Sequence, residues 1–377
     1  MVDKLRFVGM MMEYSFEDVL TIRNGRNQKA VENPNGKYPI YGSGGIMGYA
    51  DDFICSGDTV IIGRKGNINN PIYVSEPFWN VDTAFGLESK NDLLNPRYLF
   101  YFCKRFDFEK LNKTVTIPSL TKSDLLKIRL NVPELSIQEE IVSKLVKLEK
   151  IVQLRLNELQ KLDELVKARF IEMFGDPISN TKGWNMVELG ELTGIGSSKR
   201  IFEKEYVSEG IPFYRTKEIV ELSKGNNIST ELYISEERFA EIKEQYGVPK
   251  AGDLLISAVG TIGIIWIVDG KNDFYFKDGN LIRVDGSDTF DSIYMKNLLE
   301  HLISEYKKQM SSGTAYAALT ISGMTKMKVY DVPLNLQVQF SDFVKQVDKS
   351  KVVVPSKIKN AIFAIMLSVS FGQITSI

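Results

Sequence analysis

Ser56-Gly57-Asp58-Thr59-Val60-Ile61-Ile62 returns 195 positions downstream as Ala251-Gly252-Asp253-Leu254-Leu255-Ile256. Each copy reads as a Gly-Asp turn followed by an apolar strand. A glycine loop follows each strand, Gly63-Arg64-Lys65-Gly66-Asn67-Ile68 in the first and Ala258-Val259-Gly260-Thr261-Ile262-Gly263 in the second. Outward from this pair the matches continue in order. Pro118-Ser119-Leu120-Thr121 pairs with Ala317-Ala318-Leu319-Thr320, and Val132-Pro133 to Gln138 pairs with Val332-Pro333 to Gln337. Phe174-Gly175 pairs with Phe371-Gly372. The offset stays between 194 and 200 throughout. Matches that keep order and spacing over this distance mean a duplicated domain, and the period is far too long for a solenoid.

Between the copies lies the clearest periodicity in the chain. Ile141, Leu145, Leu148, Val152, Leu156, Leu159, Leu162 and Val166 recur at steps of three and four, the seam of a coiled coil. Ser136 is the expected N-cap with Glu139 at the capping-box position, and Gly175 with Pro177 ends the helix. A helix over 139–174 is a rod of roughly 55 Å, too long for one small domain to bury, so it needs a partner helix. The second copy offers one through Phe340, Val344, Val347, Ile358, Ile362, Ile365 and Val369, with Pro355 expected to kink or break it. The expected class is α+β. Two tandem mixed units are separated by long helices that form an antiparallel coiled coil, the whole being a pseudo-two-fold internal repeat.

Composition excludes several functions. Of 377 residues, 44% are hydrophobic and 25% charged, as in an ordinary globular protein of two or three cores. The apolar run near 361–369 is about half of the ~20 residues a membrane span needs, and no signal-peptide core precedes the first unit; a cytoplasmic protein is expected. Cys55 and Cys103 build no disulfide framework, and the single histidine, His301, supports neither a zinc site nor a Ser-His triad. No phosphate loop occurs. Gly42-Ser43-Gly44-Gly45-Ile46-Met47-Gly48 has Met47 where a dinucleotide loop needs its third glycine, and it reads as a tight turn. Asn95-Pro96-Arg97-Tyr98 departs at Arg97 from the Asn-Pro-Pro-Tyr motif of amino-methyltransferases and reads as a helix start. No catalytic, metal or cofactor site is assigned to this chain.

What the loops do carry suits nucleic acid. With a net charge of −1, contact must come from local basic patches. In the first unit Arg64 and Lys65 sit in the glycine loop with Asn67 and Asn69, beside the turn bearing Tyr41 and Ser43. In the second, Lys199, Arg200, Arg215 and Lys217 flank an aromatic strand, and Thr261 sits in the glycine loop. Lys307, Ser311, Thr314 and Tyr316 form a further basic and polar stretch. Such side chains reach phosphates and base edges.

The order of globule, Gly-Asp strand, glycine loop, Leu-Thr, Val-Pro, Gln, long helix and Phe-Gly, repeated once, resembles the specificity subunit of type I restriction–modification systems. The resemblance rests on Val132-Pro133 to Gln138, Arg169-Phe170 to Gly175-Asp176-Pro177, and Val332-Pro333 to Gln337. It implies target recognition domains at 13–136 and 181–334, a central spacer helix at 137–175 and a C-terminal spacer at 335–373. Each recognition domain would read one half of a bipartite, asymmetric site on double-stranded DNA. The spacers would set the gap and dock two methylation subunits. S-adenosylmethionine would lie in those subunits, and ATP and Mg in separate restriction/motor subunits. The alternatives are a coiled-coil scaffold and a standalone DNA-modifying enzyme with unrecognised motifs.

Overall fold

The computed structural model describes residues 12–114, 117–310 and 318–351. Two compact units divide after Leu156, within the long helix. Among the described residues no helix is long and apolar enough to cross a membrane.

In the first unit a four-stranded antiparallel sheet has the order Leu20–Asn24, Ala84–Ser89, Thr59–Gly63, Ile72–Val74. The Gly-Asp strand, Thr59–Gly63, lies inside it with every residue buried. Its β-branched Val60, Ile61 and Ile62 fit a strand covered on both faces, each worth about 1.5–3 kcal/mol of burial. Gly57 turns into this strand at φ +98, where a Cβ would sit 2.6 Å from the Ser75 carbonyl oxygen. A second sheet pairs Tyr38–Gly42 with Gly45–Ala50 as a hairpin and, in parallel, with Trp79–Asn80. A two-stranded ribbon joins Met12–Ser15 to Arg129–Val132.

The second unit repeats this frame. Its main sheet has the order Ile195–Gly196, Leu281–Val284, Leu254–Ser257, Ile265–Ile267, and its ribbon joins Asn185–Glu188 to Lys328–Asp331. Its second sheet again contains a parallel pair, Ile211–Tyr214 with Tyr275–Phe276. The copies differ between that sheet and the Gly-Asp strand. The first has the plain hairpin, whereas the second inserts helices Thr216–Ser223 and Glu236–Gln245.

Among the described residues the matched islands are framework. Leu120 and Leu319 are buried, and their amides donate to the carbonyls of Arg64 and Ala258, tying each glycine loop down. Thr121 and Thr320 then cap short helices, accepting from Asp124 N–H at 3.2 Å and Gly323 N–H at 3.0 Å. Gln138 is fully buried; its Oε1 accepts from Asn95 N–H at 2.7 Å and its Nε2 donates to the Leu93 and Pro133 carbonyls. Gln337 does the same with Asp291 N–H at 2.9 Å and the Val332 carbonyl. Asn95 caps helix Pro96–Arg105, so Asn95-Pro96 is a helix start.

The central helix runs Leu135–Phe174, 40 residues. It begins before Ser136, which is therefore not its N-cap: buried Gln138 pins the entry, accepting and donating where a capping serine would only accept. Its C-terminal end and the second spacer helix, Leu334–Lys351, pack antiparallel within the second unit. Lys351 meets Asp163 at 2.8 Å, Arg169 lies over Phe343 at 5.8 Å, and Phe170 and Phe174 both contact Phe340. Leu156, expected on the seam, is 53% exposed. The described partner helix ends at Lys351, opposite Asp163, short of that position. Pro355, the Phe371-Gly372 island and the apolar residues from Ile358 onward lie outside the described residues.

Both cysteines are free and buried. Burial pushes the Cys55 thiol up to about 12 and raises that of Cys103 further. Only the thiolate reacts, so neither should label with iodoacetamide at pH 8 in the folded chain, and both should label after unfolding in guanidinium. Rapid native labelling of Cys55 would contradict this packing.

Candidate nucleic-acid interface

In the first unit, four loops converge where the sequence placed its basic glycine loop. Gly63 opens this loop because a Cβ there would sit 2.1 Å from the Asn67 carbonyl oxygen and 3.0 Å from the Ser43 Cβ. That contact sets the hairpin turn beside the glycine loop. Arg64 N–H donates to the Thr83 carbonyl at 2.8 Å, Gly66 N–H donates to the Pro118 carbonyl, and Lys65 bridges Ser119. With backbone thus held, Arg64, Lys65 and Asn67 present exposed side chains. The Arg64 guanidinium rests 5.7 Å from the Phe85 ring centre. Tyr41 is half-buried against Phe78, and burial raises its hydroxyl pKa. Asn69 is differently employed. Its Oδ1 accepts from Phe108 N–H at 2.7 Å and its Nδ2 donates to Asp107, so its amide joins loop to loop.

In the second unit the glycine loop carries Ala258 and Val259 where the first carries Arg64 and Lys65. Positive charge arrives from other elements. The parallel pairing of Phe213 with Tyr275 and Tyr214 with Phe276 sets Lys277 beside Arg215, and Lys277 N–H donates to the Tyr214 carbonyl. Arg215, Thr216, Lys217, Lys277 and Asn280 line one cleft of about 560 Å³ with Tyr206, Leu232 and Glu203. Arg200 is paired with Asp278 at 2.7 Å, and Lys199 lies 5.0 Å from the Tyr246 ring centre. Asn280 also accepts from Ala258 N–H, which sets the glycine loop and Thr261 next to this group. Lys307 donates to the Ile262 carbonyl at 3.0 Å, bringing it to the same loop. Ser311, Thr314 and Tyr316 lie outside the described residues. Sequence reasoning missed Lys277, Asn280 and Tyr206. Lys277-Asp278-Gly279-Asn280 has turn composition, but only the parallel pairing reveals its neighbours.

This duplicated frame has a known counterpart. The type I restriction modification DNA specificity domain matches residues 10–166 and again 181–363. The chain belongs to this family. A type I restriction enzyme specificity subunit of Haemophilus influenzae is 30% identical over 312 residues, spanning 80% of this chain and 78% of that one. A type I specificity subunit N-terminal segment of Mycoplasma pneumoniae is 26% identical over 137 residues, 34% of this chain and 73% of that one. The S subunit from M. genitalium shares the fold, with a TM-score of 0.60 at 17% identity over 98% of both chains. A chain from a structure of type I R-M complex assembly gives 0.57 at 16% identity, over 98% of this chain and 99% of that one. As a type I specificity subunit by family, the chain places DNA recognition in its duplicated units, and the loops just described are where the two units differ.

Proposed function

We propose that this specificity subunit reads a bipartite, asymmetric site on double-stranded DNA and has no catalytic site of its own. The recognition domains, 13–136 and 181–334, each take one half. The spacers, 137–175 and 335–373, set the gap and dock two methylation subunits. S-adenosylmethionine belongs to those subunits, and ATP and Mg to the restriction/motor subunits of the full complex. One observation carries this reading. The two units share sheet order, caps and buried glutamines, yet differ in charge and architecture at the same surface. A single ligand would not need two such surfaces, whereas two unlike DNA elements do.

The first test is to purify the chain alone and with the methylation subunit that co-purifies from its host. Specific binding to a split DNA site is expected with that subunit present. Cleavage or methylation by the chain alone would favour a standalone enzyme instead. Within the assembly, Lys65 is assigned to a phosphate, because its exposed ammonium is a flexible point charge at the glycine loop. Lys65→Ala should weaken all sequences alike and lower the slope of log K against log salt by about 0.9. An unchanged slope would remove Lys65 from the backbone contacts.

A further inference from the structure

The cleft of the second unit holds an arginine whose guanidinium is already fixed. The side chain of Glu218 is 2% exposed. Its Oε1 accepts from Arg215 Nη2 at 3.0 Å, and its Oε2 accepts from Arg215 Nε at 3.4 Å and from the Arg215 backbone N–H at 2.8 Å. The guanidinium is planar, so its Nε edge is spent inward on the carboxylate and its end edge faces away. The Arg215 side chain remains 36% exposed on the cleft wall. A pair of parallel N–H groups held in this way suits a ligand with two adjacent acceptors, at little cost in side-chain entropy.

Phosphate and guanine both offer two acceptors. Arg215, Lys217 and Lys277 would attract a phosphate, but a phosphate has no donor for Glu203 on the same wall and is repelled by it. A base edge beside guanine presents donors as well, which Glu203 and the amide of Asn280 can answer. We infer that Arg215, held by Glu218, reads O6 and N7 of one guanine in the half-site taken by the second unit. Arg215 determines specificity at that base pair, and Glu218 is its positioning residue. The first unit has a hairpin where the second inserts the helix bearing Glu218, so the device belongs to one half-site. The inference rests on the DNA-reading function proposed above.

The full chain, assembled with its co-purifying methylation subunit, is offered a randomised duplex pool at two salt concentrations, and bound duplexes are sequenced. The wild type should select a split motif with one obligatory G·C pair in the second unit's half. Arg215→Lys keeps the charge and loses the fork. Its guanine preference at that position should fall by about 5- to 150-fold while the other half-site is retained, which also reports an intact fold. Glu218→Gln, which keeps the shape but weakens the anchor, should lose part of that preference. Retention of the full motif by Arg215→Lys overturns the inference. So does uniform weakening with a shallower salt dependence in Arg215→Ala, which marks a phosphate contact. A wild-type assembly that selects no split motif overturns the proposed function itself, and this inference with it.

Discussion

Replacing Gln138 by alanine should destabilise the first unit by roughly 2–4 kcal/mol, because one buried and two part-buried backbone groups lose their partner at once. The side-chain amide is fully buried and serves Asn95 N–H at 2.7 Å, the Leu93 carbonyl at 2.9 Å and the Pro133 carbonyl at 2.7 Å. The orphaned, buried Pro133 carbonyl costs about 1–3 kcal/mol, the two part-buried groups cost less, and the vacated volume adds a cavity term. Gln337→Ala should act on the second unit with a smaller effect, since its amide serves two groups. Denaturant unfolding measures both. Cys55 and Cys103 lie in the first unit, so their alkylation should begin at lower denaturant in Gln138→Ala and be unchanged in Gln337→Ala. A loss below about 1 kcal/mol in Gln138→Ala would contradict the role given to this glutamine.

Phe170→Ala should cost the second unit about 3–5 kcal/mol, as large-to-small changes at buried aromatics do. Phe170 is fully buried, with ring centres of Phe174, Tyr294, His301 and Phe340 between 5.0 and 5.8 Å away. These neighbours come from the central helix, from helix Ser292–Met310 and from the second spacer helix, so one truncation opens three elements. Phe170→Leu should recover most of the loss. The ring around His301 also explains that residue. Burial, first, and nearby Lys167 lower its pKa against a weaker pull from Asp176, so it packs as a neutral imidazole. A neutral, half-buried histidine must take up a proton to charge on unfolding. Its contribution is therefore present above the unfolded pKa, near 6.5, and is lost as pH falls toward the depressed folded value. Phe170→Ala should leave native protection of Cys55 and Cys103 unchanged. Early labelling of both would contradict the assignment of this cluster to the second unit.

The duplication was legible because its islands carry residues with few substitutes. A glycine at φ +98, a threonine cap and a glutamine bonded at both ends of its amide each satisfy a strict local demand. The helix entry was misread for the same reason in reverse. Ser136 and Glu139 have capping-box spacing, but Gln138 reaches back to Pro133 and starts the helix earlier. Asn69 shows the limit of reading loops. An amide beside a basic glycine loop suits base contact, yet Asp107 and Phe108, almost forty positions on, occupy it. The Arg215 cleft depended on the parallel pairing of strands sixty-two positions apart, whose register no local pattern specifies. Local chemistry showed the frame, and long-range pairing decided which polar side chains stand free to read.

The most direct test of two unlike readers on one frame is to map methylated bases in the genome of the host. Methylation within a single split motif is expected, with two different half-sequences separated by a constant gap. Substitutions at Arg64 should alter one half, and substitutions at Arg215 the other. A continuous or palindromic motif, or substitutions that change both halves together, would contradict the account.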